Sequence, residues 1–262
     1  MIAGNRKFPL IFAQGAQRNG KHIVCVAIKG ETCRGLKRFV DKIYWLSLGE
    51  FERMLEIFKA EGVKKIAMAG QISPHRLFSQ EVKNNRQIQE LLAGIQDRKA
   101  NTIFAGIAKK LEEEGLGLMD STTFIRDFVP PKGVLTKRAP NDEEQEDINF
   151  ALGIARKVAE LDIGLAVAVK NKAIIAVEAL EGTDNLIRRC GVISRFGAVI
   201  VKVARPEQDM RFDIPVIGLN TIKNLIKAKV SCLAIEAGKT LFIDMRPAVA
   251  LADKKGIAIV AV

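Results

Sequence analysis

Four carboxylates in two short segments are the residues best suited to bind a cation. Glu181 and Asp184 lie in "EGTD", between a strand-like apolar run at 173–179 and an amphipathic segment. Asp209 and Asp213 lie in "RPEQDMRFDIP", which has a proline near each end. Carboxylate oxygens are the ligands that Mg²⁺ prefers. These residues therefore predict a metal site, with a helix cap as the alternative for "EGTD" and a surface ion-pair ladder for the second segment.

Basic and hydroxyl side chains accompany the carboxylates and are suited to bind phosphate. If the second segment is extended, Arg211 projects to the same face as Asp209 and Asp213. A guanidinium binds phosphate oxygens through two parallel hydrogen bonds. The hydroxyl of Thr183 is a further phosphate donor, and three more candidates follow the two prolines at 130–131: Thr136, Lys137 and Arg138. The alternative for those three is a solvated linker.

These clusters together predict metal-assisted hydrolysis of a phosphate ester or a diphosphate. The cation would neutralise charge on oxygen, and a carboxylate would orient or deprotonate the attacking water. Soft metal ligands are few, because the four cysteines contain no CxxC pair and only His22 and His75 could assist them. A tetrahedral zinc site is therefore not expected.

Two glycine-containing turns in the first half are candidate substrate-binding positions. Gly4 and Asn5 lie where a short first strand would give way to a helix beginning near Phe8. Backbone N–H groups at such a turn can hold a phosphate or a nucleotide. Gly70 and Gln71 end another strand, and ligands in open α/β sheets bind at the carboxyl ends of strands. A dinucleotide fingerprint G-x-G-x-x-G is absent, so a tight turn is the alternative at Gly4.

The order of apolar and amphipathic segments predicts two α/β domains, 1–133 and 134–262. "HIVCVAI" at 22–28, the amphipathic segment 47–62 and "VKKIAMAGQ" at 63–71 form a βαβ unit, which implies a Rossmann-like parallel sheet. A helix is expected at about 97–114. "DFVPPKG" at 127–133 marks the boundary.

The second domain is expected to begin with a helix that Asn141 caps. Further strands are expected within 164–169, 173–179, 197–203, 231–235, 241–243 and 257–261. "EAGKT" at 236–240 is not a P-loop, because Leu233 occupies the position of its first glycine. A hairpin turn between two strands is the better account of that segment.

The chain is basic, with a formal net charge of +11, which favours an anionic partner. Nucleic acid is not expected, because aromatic residues make up only 6% and no recognition motif occurs. No apolar run approaches the roughly 18 residues that a membrane span requires. The chain shows no secretory signal, and its four cysteines are expected to be reduced thiols in the cytoplasm.

Six segments resemble the LpxI-type UDP-2,3-diacylglucosamine pyrophosphatases of lipid A biosynthesis, over essentially the whole length. They are "IAGNRKFP" (2–9), "MAGQI" (68–72), "PPKGVLTKRAP" (130–140), "VEALEGTD" (177–184), "VKVARPEQDMRFDIPVIG" (201–218) and "AIEAGKTLFID" (234–244). The chain departs from the family at Arg6, where a small residue, often glycine, is usual.

The resemblance implies a two-domain α/β enzyme that binds its lipid substrate in the cleft between the domains. It implies hydrolysis of UDP-2,3-diacylglucosamine to UMP and 2,3-diacylglucosamine 1-phosphate (lipid X), with Mg²⁺ or alternatively Mn²⁺. The essential aspartate of the family would be Asp213, with Asp209 as the alternative. A homodimer is implied, in peripheral contact with the cytoplasmic face of the inner membrane.

Other functions remain open on the residues alone. A different UDP-sugar enzyme, such as a glycosyl transferase, would cleave only when an acceptor is present. A non-catalytic nucleotide- or lipid-binding module would bind tightly without turnover.

Overall fold

The computed structural model describes residues 1–73, 76, 89, 100–212 and 214–262. The chain divides into two compact units, each with its own core. Unit 1 comprises Met1–Arg126 together with Asp209–Asp213, and unit 2 comprises Asp127–Gln208 together with Ile214–Val262. Both units combine helices with sheets, which confirms the predicted α/β class.

Unit 1 is built on a parallel sheet. Its strands are β1 (Ile2–Ala3), β2 (Val24–Ile28), β3 (Lys42–Leu46), β4 (Lys65–Ile66), β5 (Met68–Ala69) and β6 (Gly117–Leu118). Its described helices are α1 (Phe8–Arg18), α2 (Phe51–Ala60) and α3 (Ala100–Glu113). Four strands form a sheet in the order β3-β2-β1-β5, with every neighbouring pair parallel, and β4 pairs with β6. The Rossmann-like arrangement predicted from the sequence is confirmed.

Apolar periodicity explains the packing of unit 1. All five residues of β2 are buried, as expected for a strand covered on both faces. Helix α2 buries Met54, Leu55 and Phe58 in the same core cluster as Val26 of β2 and Ile66 of β4. The apolar face of α2 thus packs against the sheet, as expected for an amphipathic helix.

Unit 2 contains a mixed six-stranded sheet and a separate two-stranded sheet. The strands of the unit are β7 (Gly133–Val134), β8 (Ala166–Lys170), β9 (Ala173–Val177), β10 (Val199–Lys202), β11 (Val216–Gly218), β12 (Cys232–Ile235), β13 (Leu241–Ile243) and β14 (Ala258–Ala261). Its helices are α4 (Asp142–Glu160), α5 (Thr183–Ser194), α6 (Leu219–Lys227) and α7 (Met245–Lys254). The large sheet has the order β7-β14-β12-β10-β8-β9.

Strand directions in unit 2 bring four carboxyl ends to one edge. β10, β12 and β14 are parallel to one another, whereas β8 is antiparallel to both β10 and β9. β9 therefore runs in the same direction as β10. The residues that follow β9, β10, β12 and β14 consequently meet at one edge of the sheet, where ligands bind in open α/β folds.

Helix α4 starts at the predicted cap and covers one face of this sheet. Asn141 Oδ1 accepts from Glu144 N at 2.8 Å, and Glu144 Oε2 accepts from Asn141 N at 2.9 Å. Its small buried residues, including Ala151 and Ala155, pack in one core cluster with β8, β10, β12 and β14. Helices α5, α6 and α7 contribute to a second cluster that also contains sheet residues.

One expectation about local structure is wrong. The segment 236–240 is not a hairpin, because β12 pairs with β10 and β14 while β13 pairs with β11 in a separate two-stranded sheet. In the part of the chain that the structure describes, no helix is both long and apolar enough to cross a membrane.

Candidate active site

Two glycines let two loops of unit 1 approach closely at the carboxyl ends of β1 and β5. A Cβ on Gly4 would lie 2.6 Å from Gln71 O, and one on Gly70 would lie 2.6 Å from Asn5 O. Asn5 N donates to Gln71 O at 2.8 Å. The four residues predicted from sequence at this edge therefore come together. Their role in binding substrate stays a prediction, and the backbone N–H groups of Gly4 and Asn5 already donate to Ala69 O and Gln71 O.

A polar cluster that the sequence reasoning missed lies beside these loops. Asn5 Nδ2 donates to Glu31 Oε2 at 2.7 Å and lies 3.1 Å from Ser73 Oγ, which itself donates to Glu31 Oε2 at 2.9 Å. The Glu31 side chain is 3% exposed, and Arg76 Nε lies 4.0 Å from its other oxygen. Asn5 Oδ1 is buried with no hydrogen-bond partner among the described residues. The cluster joins the loops that carry Asn5, Glu31 and Ser73. It leaves Asn5 Oδ1 as an acceptor for another group.

Substitution of Gly70 by alanine is expected to lower the free energy of unfolding of unit 1 by about 2–4 kcal/mol. Its φ is +90°, and its added Cβ would meet backbone. Gly62→Ala is the matched control, because Gly62 also has a positive φ but has nothing within 4 Å of an added Cβ. That control should cost only about 1 kcal/mol. Denaturant unfolding measures both, and equal losses would show that the close approach at Gly70 is unimportant.

The segment 209–212 is a turn and not the extended strand considered from sequence. Arg211 curls back on Asp209: Nε and Nη2 donate to its carboxylate at 2.9 and 2.7 Å, and Arg211 N donates at 3.0 Å. These hydrogen bonds from Arg211 lower the pKa of Asp209 below its usual value. Arg211 Nη1 also donates to Glu112 at 2.5 Å. The guanidinium is thus paired with two carboxylates, which favours a structural role over phosphate binding.

Contacts with unit 1 fix this turn. Ser121 N donates to Met210 O at 3.0 Å, and Ser121 Oγ lies 2.6 Å from Arg211 O. Phe212 packs against the core that contains β2, α2 and α3 residues. Asp213, the predicted catalytic aspartate, lies outside the described residues.

The side chains of Thr136 and Arg138 form hydrogen bonds and an ion pair with other residues of unit 2. Thr136 Oγ1 accepts from Ile259 N at 2.8 Å and donates to Arg138 O at 2.9 Å. Arg138 forms a two-point ion pair with the buried Glu144, at 2.6 and 2.9 Å, and also donates to Ser231 O at 2.7 Å. Their predicted phosphate contacts stay a prediction, and these partners favour a structural role. The neighbouring Lys137 is exposed.

The "EGTD" segment lies at the predicted junction between β9 and α5. Asp184 accepts from Asn224 Nδ2 at 2.8 Å and from Asn220 Nδ2 at 3.3 Å. Glu181 lies 3.2 Å from Arg189 Nη2 and accepts from Ala179 N at 3.1 Å. Both carboxylates therefore have protein partners, and their predicted role as metal ligands stays a prediction.

A buried polar triad lies at the same junction. Lys202 Nζ donates to Thr183 Oγ1 at 2.8 Å, and Thr183 Oγ1 donates to Glu178 Oε1 at 2.8 Å. Lys202 Nζ lies 3.7 Å from Glu178 Oε2, and the two side chains are 5% and 10% exposed. The Thr183 hydroxyl donates its hydrogen bond to Glu178, so in this arrangement it has no second proton to donate to a phosphate. Sequence reasoning missed Lys202 and Glu178, although a lysine within the apolar run 198–204 was a usable signal.

The described carboxylates do not form a metal site. Within residues 1–73, 76, 89, 100–212 and 214–262, no group of three or more His, Cys, Asp or Glu side chains is arranged to hold a metal ion. The predicted ligands Glu181, Asp184 and Asp209 each have the protein partners described above.

Comparison with known proteins assigns the whole chain to one family. The model of the LpxI N-terminal domain matches residues 1–128, and that of the LpxI C-terminal domain matches residues 131–260. The chain belongs to the LpxI family. The chain is also 29% identical to a Caulobacter vibrioides protein named UDP-2,3-diacylglucosamine pyrophosphatase LpxI, over 100% of this chain and 96% of that relative.

Arg6, where the sequence departs from the resemblance, has φ +64°, in the left-handed region that glycine adopts without a steric penalty.

Proposed function

We propose that this protein hydrolyses the diphosphate bond of UDP-2,3-diacylglucosamine to UMP and 2,3-diacylglucosamine 1-phosphate, a step of lipid A biosynthesis. The observation that carries the proposal is the match of both LpxI domains, in order and over nearly the full length. A relative named for this activity aligns over the entire chain.

The geometry of each unit supports binding of a polar, phosphate-containing substrate. Unit 1 offers the loop edge around Gly4 and Gly70, where the unpartnered Asn5 Oδ1 can accept a hydrogen bond from an N–H or O–H group of the nucleoside part of a substrate. Unit 2 gathers the segments after β9 and β10 at one edge. Lys137, the exposed basic candidate, lies at the opposite edge of that sheet, where its backbone N–H donates to Asp253 Oδ1 before β14 begins, so it is not proposed to bind the same diphosphate.

A requirement for Mg²⁺, with Mn²⁺ as the alternative, is part of the proposal and rests on the family resemblance. Asp213 is proposed as the essential carboxylate, with Asp209 as the alternative. The lowered pKa of Asp209 keeps that group ionised to lower pH than usual, which suits it to pairing with Arg211.

The reaction is tested by incubating the purified protein with UDP-2,3-diacylglucosamine and either Mg²⁺, Mn²⁺ or EDTA. UMP and the 1-phosphate should appear in equal amounts with metal and not with EDTA. Turnover only after addition of a sugar acceptor would indicate a glycosyl transferase. Binding of the intact substrate without turnover under every metal would indicate a binding module.

A homodimer is a further part of the proposal and rests on the resemblance alone. Light scattering coupled to size exclusion should give twice the chain mass of 28.8 kDa. A mass of one chain at micromolar concentration would contradict this part without affecting the proposed reaction.

Peripheral contact with an anionic membrane is also proposed, through a face of unit 2 called here the basic tip. The basic tip consists of three exposed apolar residues and the basic segments around them. The apolar residues are Val192, Ile193 and Phe196, at 81%, 58% and 64% exposure. Lys170 Nζ lies 4.2 Å from the Phe196 ring centre. The segments 185–202 and 219–231 contain several lysines and arginines and no aspartate or glutamate. Apolar side chains in a basic field favour insertion into anionic lipid.

Replacing the three apolar residues of the basic tip by serine is expected to weaken binding to phosphatidylglycerol-containing vesicles by at least about tenfold. The matched control is Leu161→Ser with Ile163→Ser, because those residues are also exposed but flank Asp162. Vesicle co-sedimentation gives both affinities. Wild-type binding by the triple variant would refute this face, and a change of oligomer mass would assign it to self-association.

A further inference from the structure

The buried triad Glu178–Thr183–Lys202 is incompletely satisfied. Glu178 Oε2 has no hydrogen-bond partner among the described residues, although it is buried. The Lys202 ammonium has three donors, and only the bond to Thr183 is formed within the described part of the chain. The two unfilled groups lie 3.7 Å apart. Buried polar groups are rarely left in this state, so the site requires another donor and acceptor.

The two groups of the triad decide what fits between them. Glu178 Oε2 needs a hydrogen-bond donor, whereas the Lys202 ammonium needs an acceptor, and the two atoms lie 3.7 Å apart. A neutral group that accepts from Lys202 and donates to Glu178 satisfies both, and water is the smallest such group.

The site also lies where a reactant would be needed. Glu178 directly follows β9, and Lys202 ends β10, so both are at the edge where the carboxyl ends of parallel strands meet. Thr183 is the first residue of α5. Ligands of open α/β sheets bind at this edge.

We propose that Glu178 and Lys202 hold the water molecule that is consumed in hydrolysis, and that Glu178 is the group that accepts its proton. The inference rests on the proposed diphosphatase function. The water oxygen forms a bond to one phosphorus, and the bond from that phosphorus to the bridging oxygen breaks. The leaving phosphate keeps the electron pair, and the water proton passes to Glu178 Oε2.

Thr183 is a positioning residue in this scheme. Its hydroxyl accepts from Lys202 and donates to Glu178 Oε1, so the carboxylate is held with Oε2 towards the ammonium. Thr183→Ser keeps these bonds, whereas Thr183→Val removes both. Serine should therefore retain most of kcat, and valine should lower kcat more than KM.

The test compares Glu178→Gln, Glu178→Ala and the control Glu146→Gln in the full-length protein. Glu146 is an exposed carboxylate of the same unit that pairs with Lys172 at 2.7 Å. Glu178→Gln should lower kcat by about 10²–10³-fold with KM within about threefold. The control should match wild type. Formate should restore part of kcat in Glu178→Ala, because it can replace the lost carboxylate as proton acceptor.

The outcomes separate this inference from the proposed function. Wild-type protein that fails to hydrolyse the substrate would refute the function itself. Active wild type with Glu178→Gln within threefold of its kcat would overturn the role of Glu178. A loss of kcat that parallels a loss of melting temperature, with no rescue by formate, would show that the triad holds only a structural water.

Discussion

Asp213→Asn is expected to lower UMP release by about 10³-fold or more while leaving the protein folded. The resemblance to the LpxI family places the essential aspartate in "QDMRFDIP", and Asp209 is the other candidate in that segment. Asp209 is bonded through both carboxylate oxygens to Arg211. A carboxylate so engaged is poorly available for chemistry, which favours Asp213 as the essential residue.

Asp209→Asn is the matched comparison for this prediction. It breaks the pairing with Arg211 and weakens the turn that Ser121 and Phe212 hold on unit 1. A smaller loss of turnover is expected, together with a lower melting temperature. If Asp209→Asn abolishes turnover and Asp213→Asn does not, the essential carboxylate is Asp209. Steady-state kinetics and circular dichroism on both variants decide between the two.

Arg138→Met is expected to lower the free energy of unfolding by about 2–3 kcal/mol, and the melting temperature by about 5–10 °C. The guanidinium is 36% exposed and Glu144 is 8% exposed, so the pair is only partly screened by solvent. Loss of the arginine leaves a buried carboxylate and removes the bond to Ser231 O. A rise of KM of tenfold or more at unchanged melting temperature would instead support the phosphate contact predicted from sequence.

The pH dependence of this destabilisation provides an internal check. Burial alone would raise the pKa of Glu144, but hydrogen bonds from Arg138 and Asn141 outweigh it, and the pKa lies below its usual value of 4.5. The pair therefore stabilises the fold fully above that pH. Its contribution is lost as the pH falls through the lowered pKa. The difference in melting temperature between wild type and Arg138→Met should accordingly shrink below about pH 4.5.

Local signals were sufficient for most of the fold. The all-apolar run of β2, the Asn141 cap of α4 and the glycine turns at Gly4 and Gly70 are encoded by neighbouring residues, and all lie as predicted. The parallel sheet of unit 1 follows from the strand–helix–strand order. Such features depend on periodicity and backbone geometry, which a single sequence displays directly.

The features that the sequence did not reveal depend on distant contacts. The turn at 209–212 is fixed by Ser121 and by the core under Phe212, and neither is close in sequence. The strand after "EAGKT" joins a separate sheet because β13 pairs with β11. Asp209, Arg211 and Asp213 occur at every second position, a spacing that is typical of a strand. The spacing does not show whether a partner strand is present, so it could not distinguish a strand from the observed turn.

The candidate site illustrates the same limit. Gly4, Asn5, Gly70 and Gln71 were recognised by position and come together. Glu31 and Lys202 were not recognised, because a charged residue in or after an apolar strand is equally typical of a strand that ends at the surface. Their burial, at 3% and 5% side-chain exposure, becomes visible only once the neighbouring strands are in place.

Hydrolysis is tested most directly by turnover of UDP-2,3-diacylglucosamine in ¹⁸O-labelled water, followed by mass spectrometry of both products. UMP and 2,3-diacylglucosamine 1-phosphate should appear in equal amounts, with one ¹⁸O atom in the phosphate of one product only. The labelled product identifies the phosphorus that water attacks. Absence of cleavage, or cleavage without incorporation of ¹⁸O, would contradict hydrolysis by this protein.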